Sequence, residues 1–96
     1  MFARVSTYRT RPESSTEGPS EDTLRQVLQL PGCRGAYFLN GTGSDKALSI
    51  TLWESEEALT ASQQAANKLR SATSEEQKIE IVEVEELKVT ASRLSD

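Results

Sequence analysis

Side chains that could bind or polarise a small molecule recur at alternate positions in two segments of the chain. They alternate along the first and third predicted strands: Arg4, Ser6 and Tyr8 in the first, and Ser49, Thr51 and Trp53 in the third. Alternate residues of a strand face the same side of a sheet, so each set shares one face. If the two faces coincide, these side chains form a lightly polar pocket of the kind that orients small ligands. An ordinary half-solvated sheet face is the alternative.

Three of these residues could carry the chemistry of such a pocket. An inward-facing Arg4 would bind a carboxylate or stabilise an enolate, although an ion pair with the acidic last strand would also explain it. Tyr8 could donate a hydrogen bond to a bound phenol, or its hydroxyl could lie at the rim of the sheet. Trp53 could stack on an aromatic ligand, or it could simply pack beneath the helices.

The composition removes the commonest catalytic chemistries. The 96 residues include no histidine and one cysteine, so the usual general base, the common zinc sites and the usual haem ligand are missing. Cys33 has no partner base and is interpreted as a small buried hydrophobe. No general base can be named from the sequence, and we expect neither a metal nor another cofactor.

The same composition limits partners and location. A net charge of -4 and a pI near 4.9 argue against a nucleic acid partner, because phosphate binding needs a basic face. The chain has no apolar run of the ~18 residues that a membrane-spanning helix requires. A single cysteine cannot form an internal disulfide, which favours a reducing, cytoplasmic location.

The elements that must position the candidate residues follow from hydrophobic periodicity and from capping residues. They are a strand at 2–10, a helix capped by Ser20, strands at 34–39 and 46–54, a helix opened by Ser55, a polar turn at 73–77 and a strand from 78 to 89. This βαββαβ order is typical of the ferredoxin-like α+β fold, in which two helices cover one face of a four-stranded antiparallel sheet. Right-handed crossovers place the first and third strands at its centre. We expect a single domain at 1–90 and a polar tail at 91–96.

The second helix and the last strand carry further signals. The second helix is predicted to face the sheet with a stripe of mostly small residues: Ala58, Ala61, Ala65, Leu69 and Ala72, widened by Leu59 and Ala66. In the last strand the alternation breaks between Ile81 and Val82, and again between Val84 and Leu87, which predicts bulges.

The third strand predicts an assembly as well as a fold. Leu48, Ile50 and Leu52 alternate with its pocket residues, so both of its faces require cover. Helices cover one face of the sheet, and a second sheet packed against the opposite face would cover that one. Apolar residues make up only 35% of the chain, so one copy has a thin core. The sequence therefore predicts a symmetric homodimer.

Two short motifs carry a family resemblance. Residues 31–35, Pro-Gly-Cys-Arg-Gly, open the second strand, and residues 53–59, Trp-Glu-Ser-Glu-Glu-Ala-Leu, close the third strand and begin a helix. In this order they resemble the antibiotic biosynthesis monooxygenase (ABM) family of dimeric α+β barrels. The resemblance implies a homodimer of ferredoxin-like subunits whose two sheets form a barrel. It also implies a pocket between the sheet and the helices of each subunit.

The resemblance also implies an activity. Some ABM members oxidise aromatic polyketides with molecular oxygen and without metal or flavin, whereas others degrade haem. Members often carry a histidine in the helix after the Trp-Glu-Ser turn, where this chain has Ser62, so Ser62 joins the candidate substrate-binding residues. The haem-degrading branch uses an asparagine, a second tryptophan and a histidine that this chain lacks at the corresponding positions. The resemblance therefore does not extend to haem degradation.

Two functions stay open at this point. The first is a cofactor-independent monooxygenase acting on a small aromatic or polyketide-like substrate. Trp53 would be its stacking wall, Tyr8 with Ser49 or Thr51 its hydrogen-bonding groups, and Arg4 the charge that favours an anion. The alternative is a non-catalytic homodimeric domain of the same fold that binds a small ligand or serves structurally.

Overall fold

The computed structural model describes residues 1–14 and 18–95. Four strands and three helices follow one another along the chain: β1 Phe2–Arg9, α1 Glu21–Leu28, β2 Cys33–Asn40, β3 Lys46–Trp53, α2 Glu56–Ala61, α3 Gln63–Gln77 and β4 Glu80–Lys88. The strands form one antiparallel sheet in the order β2-β3-β1-β4. The predicted ferredoxin-like α+β fold is confirmed, with the first and third strands at the centre of the sheet.

Serine residues begin two of the helices as the sequence predicts. The Ser20 side chain accepts from the Thr23 N–H at the start of α1, and the Ser55 side chain accepts from the Ala58 N–H at the start of α2. Each cap satisfies a backbone donor that has no partner within the helix. Acidic residues fill both first turns, where the helix dipole favours negative charge.

The second helical segment differs from the prediction in two ways. It is divided at Ser62 into α2 and α3. It also continues through 73–77, so the predicted polar turn is wrong, and Lys78 ends it in the left-handed conformation with φ 56°. Thr73 and Gln77 are buried, and this packing outweighs the turn preference of a polar sequence.

The predicted small-residue stripe is found in part. Leu59 is buried and Ala65, Ala66 and Leu69 are half-buried, whereas Ala61 and Ala72 are exposed, so the stripe is wrong at these two positions. Towards the end of α3 the buried positions are Thr73 and Gln77.

The two motifs that carried the resemblance contact each other. The Glu54 N–H donates to the Gly32 carbonyl at 2.9 Å, and the Arg34 guanidinium pairs with the Glu54 carboxylate at 3.0 Å. Gly32 has a φ of +82°, and a Cβ there would overlap the Cβ of Ala58. Glycine therefore lets the start of α2 pack directly on the turn before β2.

The last strand is an edge strand that pairs only with β1. Its register shifts once, where Thr7 pairs with Glu83 and Tyr8 pairs with Ile81, which leaves Val82 as the bulged residue. The first predicted break is therefore confirmed, whereas no second shift occurs towards Leu87. All nine residues of β4 are exposed.

The sheet has two contrasting faces. The face beneath the helices, called the inner face here, carries the alternating residues of β1 and β3 that the sequence singled out. The opposite, outer face carries apolar side chains that are half-buried or exposed: Val5, Tyr37, Ile50, Leu52 and Leu87. No element among the described residues 1–14 and 18–95 packs across this outer face.

Candidate functional site

Six of the seven candidate residues line one cavity between the inner face and the helices. This inner cavity is bounded by β1, β2, β3, α1 and α3, and its walls are Arg4, Ser6, Tyr8, Val27, Leu30, Phe38, Ser49, Thr51, Trp53, Ala66, Leu69, Arg70 and Thr73. Its volume is about 40 Å³. That space accommodates a molecule the size of water or dioxygen, but not an aromatic ring.

Arg4 is held from several sides. Its side chain is 3% exposed, and Nη2 donates to the Leu59 carbonyl at 2.8 Å and to the Glu86 carboxylate at 2.9 Å. The guanidinium also lies 5.4 Å from the centroid of the Trp53 ring, a cation–π contact. The ion pair with the acidic last strand therefore exists within one chain, and Arg4 borders the cavity at the same time.

Ser62 does not line the inner cavity but supports Arg4 from behind. Its Oγ accepts from Arg4 Nη1 at 3.2 Å and donates to the Leu59 carbonyl at 2.8 Å. The hydroxyl therefore satisfies a buried donor and one carbonyl at the end of α2. This places Ser62 as a positioning residue at the α2–α3 break.

Four of the other polar groups around the cavity form two pairs. The Tyr8 hydroxyl and Ser49 Oγ lie 3.1 Å apart, and either can donate. Trp53 is fully buried, and its indole Nε1 donates to Thr51 Oγ1 at 2.9 Å. Each pair joins neighbouring inner-face groups, so these polar groups are oriented before any ligand arrives.

Arg70 is the cavity residue that the sequence interpretation missed. It is half-buried on α3, and its Nη2 donates to Asn67 Oδ1 one turn earlier. Burial lowers the pKa of the Arg70 guanidinium; the nearby Arg4 charge lowers it further, whereas Tyr8 and Glu86 act in the opposite direction. A negative group in the cavity would compensate this loss of hydration. Helical spacing is the signal that could have found it, because Arg70 lies four residues after Ala66, which lines the same cavity.

A second cavity, called the end cavity here, continues the cleft beyond Tyr8. Its volume is about 290 Å³, close to the roughly 300 Å³ at which ligand pockets begin. Its walls are Tyr8, Gly18, Pro19, Leu24, Phe38, Leu39, Asn40, Ala47, Leu48, Thr73, Gln77 and Ile79. Tyr8, Phe38 and Thr73 line both cavities, so these three side chains form the partition between them.

Three other features were considered in the part of the chain that the structure describes: a reactive cysteine, a metal-binding cluster and a membrane-spanning helix. Cys33 is only half-buried, which corrects the expectation of a buried hydrophobe, and its Sγ lies 3.7 Å from the Gly35 carbonyl. No group of three or more acidic or cysteine side chains within 1–14 and 18–95 could hold a metal ion. Within the same residues no helix is long and apolar enough to cross a membrane.

The fold and cleft define a ferredoxin-like α+β domain with a small-molecule cavity between its sheet and its helices. The family model for antibiotic biosynthesis monooxygenase matches residues 1–70, and the chain belongs to that family. A crystal structure of a protein assigned to the antibiotic biosynthesis monooxygenases, from Chloroflexus aurantiacus J-10-fl, has a similar fold. It superposes with a TM-score of 0.54 at 17% sequence identity, over 98% of each chain. No curated protein matches the sequence.

Proposed function

We propose that this protein is a cofactor-independent monooxygenase that acts on a small phenolic aromatic or polyketide-like substrate. The observation that carries the proposal is the set of inner-face groups gathered around the inner cavity of a chain from this family. Oriented hydroxyls, an indole and a guanidinium suit a reaction in which the protein orients a substrate and stabilises its anion.

The reaction needs no external reductant. An ionised phenol transfers electrons to dioxygen, a C–O bond forms on the ring, and the O–O bond breaks. One oxygen atom becomes the carbonyl of a quinone, and the other leaves as water with the two hydrogens lost from the C–H and O–H groups of the substrate. The substrate supplies all four electrons, so atoms and electrons balance with the phenol and one O₂.

Arg70 is the cation best placed to favour the phenolate. Arg4 already carries the Glu86 carboxylate and the Leu59 carbonyl, whereas Arg70 contacts only a neutral amide among the interactions described above. Tyr8 and Ser49 supply hydrogen bonds at the partition, and Trp53 supplies a wall. The ring would lie in the end cavity, because the inner cavity is too small for it, and its ionised oxygen would reach Arg70 past the partition.

The proposal is tested with 1,5-dihydroxynaphthalene in an oxygen electrode. The expected result is uptake of one O₂ per quinone formed, with one ¹⁸O atom from ¹⁸O₂ in the product, above the rate with heat-denatured protein. Arg70→Met is expected to lower the rate at least about tenfold, since an anion loses its charge partner. Arg25→Met, which removes an exposed arginine on α1, is the matched control and should leave the rate unchanged. Uptake no faster than with denatured protein would exclude the oxygenase for this substrate class.

The alternative is a non-catalytic domain that binds a small ligand or serves structurally. The size of the inner cavity and the mutual pairing of its hydroxyls favour it. A thermal-shift screen of aromatic compounds separates the two functions. Stabilisation by a phenol without oxygen uptake supports a binding domain, and turnover of any such ligand without added cofactor excludes it.

We also infer that the protein acts as a homodimer whose outer faces cover each other. The apolar outer face is open in one copy, and exposed apolar faces of this kind mark interaction sites. A second copy supplies a matching apolar face through two-fold symmetry. The two sheets would then enclose a barrel, as the family resemblance implies.

A further inference from the structure

The end cavity contains a buried polar group that the fold leaves unsatisfied. Gln77 lies in the last turn of α3, is 6% exposed and lines this cavity. Its Nε2 has no hydrogen-bond partner among the described residues. An unpaired buried amide donor costs about 1–3 kcal/mol, so native structures usually provide an acceptor for it.

We propose that Gln77 forms a subsite that recognises an acceptor oxygen, in particular a carbonyl, on a ligand bound in the end cavity. The remaining walls are largely apolar, with Leu24, Phe38 and Ile79 prominent among them. Such walls fit an aromatic or alicyclic ring, and one donor then fixes the orientation of that ring. The terminal torsion of a glutamine is soft, so the amide can turn towards an oxygen seated beside it.

The subsite refines the proposed function. It rests on that function for one point, which is that the ligand contains an aromatic ring. A substrate whose ionised oxygen reaches Arg70 past the partition would place its far end near Gln77. The cleft would then select aromatic compounds that carry a phenol at one end and a carbonyl at the other. Gln77 lies beyond the residues 1–70 that the family model matches.

The test uses two neutral probes of equal shape, chroman-4-one and chroman, which differ in one carbonyl group. Titration of ¹⁵N-labelled protein by NMR should show chroman-4-one binding about tenfold more tightly, with a shift of the Gln77 side-chain amide resonance. In Gln77→Met the two probes should bind equally. Gln64→Met, an exposed position on the same helix, should keep the preference. Equal binding of the probes to the native chain, no binding of either, or a preference that survives Gln77→Met would overturn the subsite.

A second measurement does not depend on any ligand. Removing a buried unpaired donor relieves a cost, so Gln77→Met should melt at the same temperature as the native chain or above it. A clear loss of thermal stability would show that the amide has a structural partner and would contradict the proposal.

Failure of the subsite can be told apart from failure of the oxygenase. A carbonyl preference without oxygen uptake from 1,5-dihydroxynaphthalene keeps the subsite and removes the oxygenase. Oxygen uptake without a carbonyl preference keeps the oxygenase and removes the subsite.

Discussion

The two faces of the sheet are built from opposite kinds of residue. The inner face buries polar side chains beneath the helices, including Arg4 at 3% exposure and Ser6 at 2%. The outer face leaves apolar side chains open, including Tyr37 at 47% and Leu87 at 48% exposure. A monomer selected for stability alone would carry the reverse arrangement, because burying polar groups costs free energy and burying apolar groups gains it.

The contrast separates two tasks within one small domain. The inner face gives up hydrophobic stabilisation in order to hold oriented polar groups around a cleft. In the proposed homodimer, burial of the outer face against a second copy would compensate for this loss. Assembly and ligand binding are therefore expected to respond to mutations on different faces of the same strands.

The largest effect is expected from a charge at the centre of the outer face. Ile50→Lys should convert a dimer of twice 10.6 kDa to a monomer in sedimentation, with a dissociation constant raised at least about a hundredfold. A buried, unpaired ammonium costs several kcal/mol, which is more than this factor requires.

Leu28→Lys is the matched control for this experiment. Leu28 is 51% exposed on α1, on the helical side of the molecule, so the same charge there should leave the mass unchanged. A mass of 10.6 kDa for the native chain at micromolar concentration would contradict the homodimer.

A smaller effect is expected from the two arginines that join β1 to β4. Arg4→Met should lower the free energy of unfolding by about 2 kcal/mol in urea titrations. It removes the Arg4 hydrogen bonds to the Leu59 carbonyl and the Ser62 hydroxyl, which stay bonded to each other, while the partly exposed Glu86 is hydrated again. Arg9→Met removes an exposed pair with Glu80 at 3.9 Å and should change stability by less than about 0.5 kcal/mol. Equal losses in the two variants would show that the Arg4 network does not stabilise the fold.

Much of the fold could be predicted from local patterns. The alternation of polar and apolar side chains along β1 and β3 predicted both strands and their two faces, because a period of two residues is recognisable within a short segment. Ser20 and Ser55 marked helix starts through a bond made three residues later. The sequence placed Arg4, Tyr8 and Trp53 on faces that could coincide but left their convergence open, and the structure brings all three to one cavity.

The features that were missed depend on contacts distant in sequence. Ser62 accepts a hydrogen bond from Arg4, 58 residues earlier in the chain, and no local pattern contains that pair. Arg70 was missed although it lies one turn after Ala66 on the same helix, because a cation was not expected on a buried helix face. The end cavity could not be predicted either, because its walls come together only when α3 extends to Gln77.

The smallest effect comes from making the same substitution on both faces. Thr51→Val on the inner face removes the acceptor of the Trp53 indole N–H, and Trp53 is fully buried. The variant should lose about 1 kcal/mol of unfolding free energy and change the tryptophan emission spectrum. Thr7→Val replaces a half-buried threonine on the outer face and should change stability by no more than about 0.5 kcal/mol, or increase it where a second copy covers the added methyl group. If both substitutions lowered stability equally, the hydroxyl of Thr51 would have no special role, and the division of tasks between the two faces would lose its support on β3.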